Sequence, residues 1–190
     1  MIAACQDESE VAVWIIADRR AVRRYGLGAA PPAPARLAPF LAGGYLKQGK
    51  TVAVLATELG IDAVALSRTV EQFNSHASLG ADPEFGKGTT VYNRANGDPL
   101  HSPSPCLAPL VEPPFYGVRV MPGDIATFIG SKTDGFGRVC TASGDAIAGL
   151  YAAGNDAASA MGGDYPAAGI TIGSAMIFGY LVARHIAEGR

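Results

Sequence analysis

The feature that most constrains this chain is its last element. Residues 171 to 187 carry Ile172, Ala175, Met176, Ile177, Phe178, Tyr180, Leu181, Val182 and Ala183, apolar nearly all round at helical spacing. A helix with no polar face is expected to be buried, so the chain must supply or meet a layer that covers it. Arg184, His185 and Glu188 follow and are expected to mark its solvated end, where cations suit the helix dipole.

Directly ahead lies Gly149-Leu-Tyr-Ala-Ala-Gly154-Asn155, then a run of small residues, then Tyr165-Pro-Ala-Ala-Gly169-Ile-Thr171-Ile172-Gly173. A buried strand at Leu150 to Ala153 is expected to end in the turn at Gly154, with residues 145 to 147 as its short partner. Glycine at this density lets a flat ligand lie against backbone. The free N–H groups at the start of the final helix carry partial positive charge and stabilise an anion, whether a reduced flavin edge or a phosphate. Read from these residues alone, a ligand site and tight helix packing are equally good accounts.

The rest of the chain reads as a compact mixed fold. Val11 to Ala17 form an apolar, partly β-branched run that ends at Asp18-Arg19-Arg20, as a buried strand leaving a sheet does. Residues 29 to 36 contain Pro31, Pro32 and Pro34 and are expected to be a linker or crossing loop. Thr51 is placed to cap a helix with Val52, Leu55, Ala56 and Leu59 on one face and Gly60 as its left-handed stop. Asp62 caps a second helix with the stripe Leu66, Val70, Phe73 and Ala77, closed by Gly80. The two helices suit a small cap. Residues 81 to 114 read as a long loop, which in a compact domain is functional or wraps another layer, and Phe115 to Val120 as a strand.

Composition removes several function classes. The net charge is −2, without basic blocks, which argues against nucleic acid as a partner. Cys5, Cys106 and Cys140 are odd in number and far apart, which suits reduced cytoplasmic thiols rather than disulfides or a metal site. No segment approaches ~18 uninterrupted apolar residues, so no membrane span is expected, and Asp7, Glu8 and Glu10 do not suit a secretory leader. His76, His101 and His185 lie too far apart for a local metal motif and are expected at the surface or at helix ends. Ser143, Ser159 and Ser174 lack a Gly-x-Ser-x-Gly context, which disfavours a hydrolase.

Residues 149 to 187 resemble the C-terminal flavin-binding signature of the fumarate reductase and 3-ketosteroid dehydrogenase superfamily. Thr51 to Asn74, Asp82 to Gly88, Asn96-Gly-Asp-Pro, Pro114-Phe-Tyr, Pro122-Gly-Asp and Arg138-Val resemble it too. The resemblance implies an α/β fold: part of an FAD-binding Rossmann-like domain at 114–190, with a small α+β cap, the substrate domain, at 1–113. It implies FAD as cofactor, with Gly154, Asn155, Thr171, Ile172 and Gly173 against it. The fumarate reductase branch is expected to carry an arginine and a histidine near the terminal motif, yet no arginine lies between Arg138 and Arg184. The ketosteroid branch places a tyrosine hydroxyl and a glycine N–H on the substrate carbonyl. Tyr165 and Gly169 have that spacing and are the catalytic candidates, and Tyr116 is a candidate for lining the substrate pocket. The substrate implied is a ketone of steroid type.

The Gly-x-Gly-x-x-Gly turn of a complete dinucleotide-binding half is absent. Gly26-Leu-Gly28-Ala-Ala-Pro31 runs into proline and cannot open a helix. The family's proton-abstracting tyrosine is expected just before the position of Met1, so no residue here is assigned as base. The expectation is a truncated product, or a second chain that supplies the first half. Two alternatives stay open: a related flavin-dependent reductase of another enone or unsaturated acid, and a non-catalytic subunit that pairs with a separate FAD-binding chain.

Overall fold

In the computed structural model, residues 5–6, 9–33, 36–124 and 126–189 are described. Asp7 and Glu8, Pro34 of the proline stretch, and the position of Met1 lie outside them. The chain divides into two compact units, Met1–Pro122 and Gly123–Arg190. The break falls nine residues after the expected division at residue 113, because the strand in between pairs within the first unit.

The first unit is built on a three-stranded antiparallel sheet in the order β1-β3-β2: β1 is Val13–Asp18, β2 Leu46–Gly49 and β3 Phe115–Val120. Ala17 and Gln48 both pair with Tyr116 across the central strand. The first four residues of β3, Phe-Tyr-Gly-Val, are buried on both faces, which explains an apolar run without polar alternation. On one face, Ala17, Val22, Leu46, Tyr116 and Val118 form a core closed by helix α1 (Arg19–Tyr25). On the other, Leu55 and Leu59 of α3 (Val52–Leu59) pack on Phe115, Trp14 and Ile16.

Helix boundaries follow the expected chemistry. The Thr51 side chain accepts from Val54 N–H at 3.1 Å, and α3 stops at Gly60 with φ 70°, a conformation glycine takes without strain. Asp62 accepts from the N–H groups of Val64 and Ala65 at 2.7 and 2.8 Å to start α4 (Ala63–Ala77). Asp18 ends β1 and caps α1 through Ala21 N–H at 2.8 Å. Two short helices, α2 (Ala38–Ala42) and α5 (Val91–Ala95), were not expected. The second of these lies in the stretch read as loop, where Thr90 caps a single turn too short for periodicity to reveal.

The second unit contains a two-stranded antiparallel pair, β4 (Arg138–Cys140) and β5 (Ala146–Tyr151), and the terminal helix α6 (Ile170–Ala187). Three expectations are corrected here. Residues 145 to 147 are not a separate partner: Ala146 and Ile147 belong to β5 itself, whose partner is β4. Five of the six residues of β5 are exposed, so it is not a buried strand. Helix α6 is also open, with Ile172, Met176, Ile177 and Tyr180 all more than 60% exposed. Within this unit the β4–β5 pair and the turn that follows cover only part of an all-apolar helix. By length and composition alone, α6 would also suit a membrane span.

Candidate functional site

The second unit assembles its candidate site from the end of β5. Past Tyr151 the chain passes through Ala152 and Ala153 into a single 3-10 turn, Gly154–Asp156. That turn is stitched to the segment 128–131: Ser131 N–H donates to Asp156 C=O at 2.8 Å and Ala158 N–H donates back to Ser131 C=O at 2.9 Å. Gly154 has φ 66°, and a Cβ there would stand 3.2 Å from the Ala175 Cβ, so glycine is what lets α6 lie on the turn.

Helix α6 opens on Gly169, which has φ 87° and no side chain capping the first turn. Its leading N–H groups therefore have no side-chain acceptor among the described residues. A Cβ built at Gly173 meets no atom within 4 Å. Glycine inside a helix costs roughly 0.5–1 kcal/mol relative to alanine, and nothing in this unit's packing offsets that cost. An uncapped helix start and an unexplained glycine one turn later are what a flat, anionic ligand edge lying close to backbone requires. On this test the residues present fit a flavin.

The expected site residues are brought together in part. Gly154, Asn155 and Thr171 line one cleft with Thr127, Phe128 and Ser174, about 20 Å³ in volume, room for a water and not for a ring system. Ile172, Gly173, Gly169 and Tyr165 do not line it. Residues 161 to 169 are exposed throughout, and the Tyr165 hydroxyl makes no hydrogen bond among the described residues. Tyr116 lies in the first unit, 7% exposed within the core beneath α1, and burial raises its hydroxyl pKa above the ordinary tyrosine value. Thr127 and Phe128 were missed because nothing local marks them, and Ser159 and Ser174 because they were weighed only as nucleophiles. Ser174 instead bonds back into the first turn, donating to Ile170 C=O at 2.8 Å.

His185 is a further correction. Expected at a solvated helix end, it is 5% exposed, its Nδ1 lies 3.0 Å from the Tyr151 hydroxyl, and its ring centroid is 4.9 Å from that of Phe136. This contact holds the C-terminal half of α6 to the hairpin, while Arg184 and Glu188 stay outside as an ion pair at 3.0 Å. Among the described residues, no three acidic, histidine or cysteine side chains are grouped to hold a metal.

Comparison with known proteins gives consistent matches along the chain. It is 43% identical over 188 residues to 4-oxocyclohex-2-ene-1-carboxylate 5-dehydrogenase of Sinomonas cyclohexanicum, covering 99% of this chain and 32% of that protein. It is 41% identical over 178 residues to 3-oxosteroid 1-dehydrogenase of Mycobacterium tuberculosis, covering 94% and 32%. Among solved structures, 3-ketosteroid delta1-dehydrogenase from Sterolibacterium denitrificans, in complex with 1,4-androstadiene-3,17-dione, aligns with a TM-score of 0.88 and 41% identity. That alignment covers 99% of this chain and 34% of that one. The chain thus spans about a third of the length of the relatives it matches. The FAD binding domain family matches residues 1–172, and the chain belongs to that family.

Proposed function

We propose that this chain forms the ketone-binding and flavin-edge part of an FAD-dependent dehydrogenase that removes two hydrogens from adjacent ring carbons beside a carbonyl. One observation carries the reading: α6 starts without a side-chain cap at Gly169, four residues after a tyrosine whose hydroxyl has no partner among the described residues. The names of the relatives support it, since each describes dehydrogenation of a cyclic ketone.

In this reading the Tyr165 hydroxyl and the Gly169 N–H donate to the ketone oxygen. Both donors strengthen as negative charge develops there, which acidifies the neighbouring C–H. FAD, when bound, supplies the acceptor for the hydride that leaves the next carbon, and the C=C bond forms between the two. The N–H groups of Thr171 and Ile172 favour negative charge at the flavin edge, Gly173 leaves the approach to the backbone open, and the Gly154–Asn155 turn sets how close the ligand approaches. No residue of this chain is assigned as base. We place the protein in the cytoplasm, with residues 1–113 as substrate cap, 114–190 as part of the FAD-binding domain, and α6 covered by protein rather than lipid.

A second reading, a non-catalytic unit that pairs with a chain carrying the dinucleotide-binding half, is favoured by the open apolar face of α6. Visible absorption of the purified chain with and without added FAD separates the two, followed by dye-coupled oxidation of a 3-oxosteroid and of 4-oxocyclohexanecarboxylate. Bound flavin and turnover support the dehydrogenase, and Tyr165→Phe should then cost ~100-fold in rate. A colourless chain that acquires flavin only with a second polypeptide supports the pairing unit. Turnover of the steroid alone selects the steroid branch.

A further inference from the structure

The segment between α4 and β3 is tied down at many points. The Asp82 carboxylate accepts from Lys87 N–H at 3.0 Å and from Phe85 N–H at 3.3 Å, and Asn93 Oδ1 accepts from Gly88 N–H at 3.1 Å. Further along, Asp98 N–H donates to Pro105 C=O at 2.8 Å, His101 Nδ1 lies 2.8 Å from Ser104 C=O, and Cys106 Sγ donates to Asn93 C=O at 3.2 Å. A Cβ on Gly97 would stand 2.6 Å from Pro105 O, so the two arms of the loop touch through backbone. These bonds fold the segment into one wall of a cleft whose other wall is the C-terminal end of α1.

The cleft has a volume of about 430 Å³, within the range of small-molecule sites, and a second cavity of about 220 Å³ adjoins it at Tyr25, His101 and Cys106. Its carboxylates are already committed. Asp98 takes a hydrogen bond from the Tyr25 hydroxyl at 2.6 Å and an ion pair from Arg24 at 2.7 Å. Asp18, on the adjoining cavity, accepts three backbone N–H groups at 2.8 to 3.2 Å. The groups left over are donors: the Lys87 ammonium makes no ion pair among the described residues, and neither Asn93 Nδ2 nor the Tyr92 hydroxyl has a partner there. The remaining wall is apolar and partly aromatic, with Tyr92, Pro105 and Leu107. A pocket with one uncommitted cation, neighbouring donors and a flat apolar wall matches a monoanion with a ring attached.

We propose that this cleft binds a small ring monocarboxylate, the carboxylate on Lys87 and the Asn93 amide and the ring against Tyr92 and Leu107. The loop bonds form the walls before binding, so little ordering is left to oppose affinity. The site lies wholly in the first unit and stands apart from the flavin reading.

The test titrates the purified chain with benzoate by calorimetry, with benzamide as its uncharged twin. Benzoate binds saturably; replacing it by benzamide, or the protein by the Lys87→Met variant, weakens binding about tenfold, the worth of one charge-assisted hydrogen bond. Lys87 is exposed, so that variant keeps its fold, checked by circular dichroism. Tyr92→Ala also weakens binding, and saturating FAD leaves it unchanged. Absence of saturable binding, equal binding of benzamide, full binding by Lys87→Met, or displacement by FAD each overturns the proposal. A chain that fails to take up FAD but binds benzoate in this pattern sinks the flavin reading and leaves this one standing.

Discussion

The two units use apolar residues to opposite effect. In the first, Leu55, Leu46 and Val22 are 0 to 1% exposed, and a sheet with helices on both faces closes around them. In the second, His185 is the only buried side chain among the described residues, and Ile172, Met176, Ile177 and Tyr180 of α6 face outward. The difference lies in periodicity. Helices α3 and α4 each need only one face covered, α3 by the sheet and α4 by α3. Helix α6 carries them on every face, and one hairpin covers only a stripe.

The sharpest break of this comparison is a pair of truncations. Leu55→Ala should destabilise the first unit by about 3 kcal/mol, since a fully buried leucine loses both transfer energy and packing. Ile177→Ala, at 61% exposure, should change stability by less than ~0.5 kcal/mol. Urea denaturation followed by circular dichroism reads both. A large loss for Ile177 would mean that α6 is covered in solution, by another copy or another polypeptide, and the contrast between the units would fall. Asp18→Ala comes next, at about 2 kcal/mol, because it leaves three backbone N–H groups in a buried place without their acceptor. Among the described residues no carboxylate of the second unit is buried in this way, so an equal loss at Asp134 would erase the distinction.

The same contrast sets what was legible in the sequence. Thr51, Gly60 and Asp62 announced their helix ends because capping is decided by bonds three or four residues long. The strands at β1 and β3 showed as apolar runs. What misled was burial in the second unit: an all-apolar helix was read as buried, and Leu150 to Ala153 as a buried strand, because sequence says what needs covering and not whether the cover is present. His185 was misread for the opposite reason. A polar residue near a helix end usually faces water, and only the fold brings Tyr151 and Phe136 to it. At the candidate site the Gly154–Asn155 turn and Thr171 line one cleft, and Thr127, Phe128 and Ser174 reach the same cleft through pairing that no local spacing encodes.

Hydrogen bonds give a finer comparison, with effects near 1 kcal/mol. Asp62→Ala should cost about that much by leaving the start of α4 uncapped. Tyr151→Phe should cost a similar amount in the second unit by removing the bond to His185 and loosening the last turns of α6. Hydrogen exchange distinguishes the two outcomes. The first variant raises exchange at Val64 and Ala65, and the second raises it along the C-terminal half of α6. If Tyr151→Phe leaves that half as protected as before, the ring stacking of Phe136 and His185 suffices to hold the helix, and the hairpin is a firmer base than its exposure suggests.

The smallest expected effect is the pH response of the Tyr25–Asp98 bond at the rim of the first unit's cleft. That bond raises the Tyr25 pKa above the ordinary tyrosine value, and it also does most to hold Asp98 below the ordinary carboxylate range, with the Leu100 N–H and Arg24 adding to the second effect. The two signs bound a window. The depressed Asp98 contributes stability above its unfolded pKa, near ~4, and that contribution fades as pH falls through the folded value. The raised Tyr25 contributes fully below its unfolded pKa, near ~10, and that contribution fades as pH climbs through the folded value. Tyr25 is exposed and salt screens the pair from its side, so the observable is the titration and not the melting curve. Asp98→Asn should bring the Tyr25 titration down toward the ordinary tyrosine value, and Tyr25→Phe should bring Asp98 up toward the ordinary carboxylate value, both read by NMR of carbon-labelled side chains. If neither titration moves, the rim is not closed by this bond, and the first unit's cleft is as open to rearrangement as the exposed loop ahead of α6.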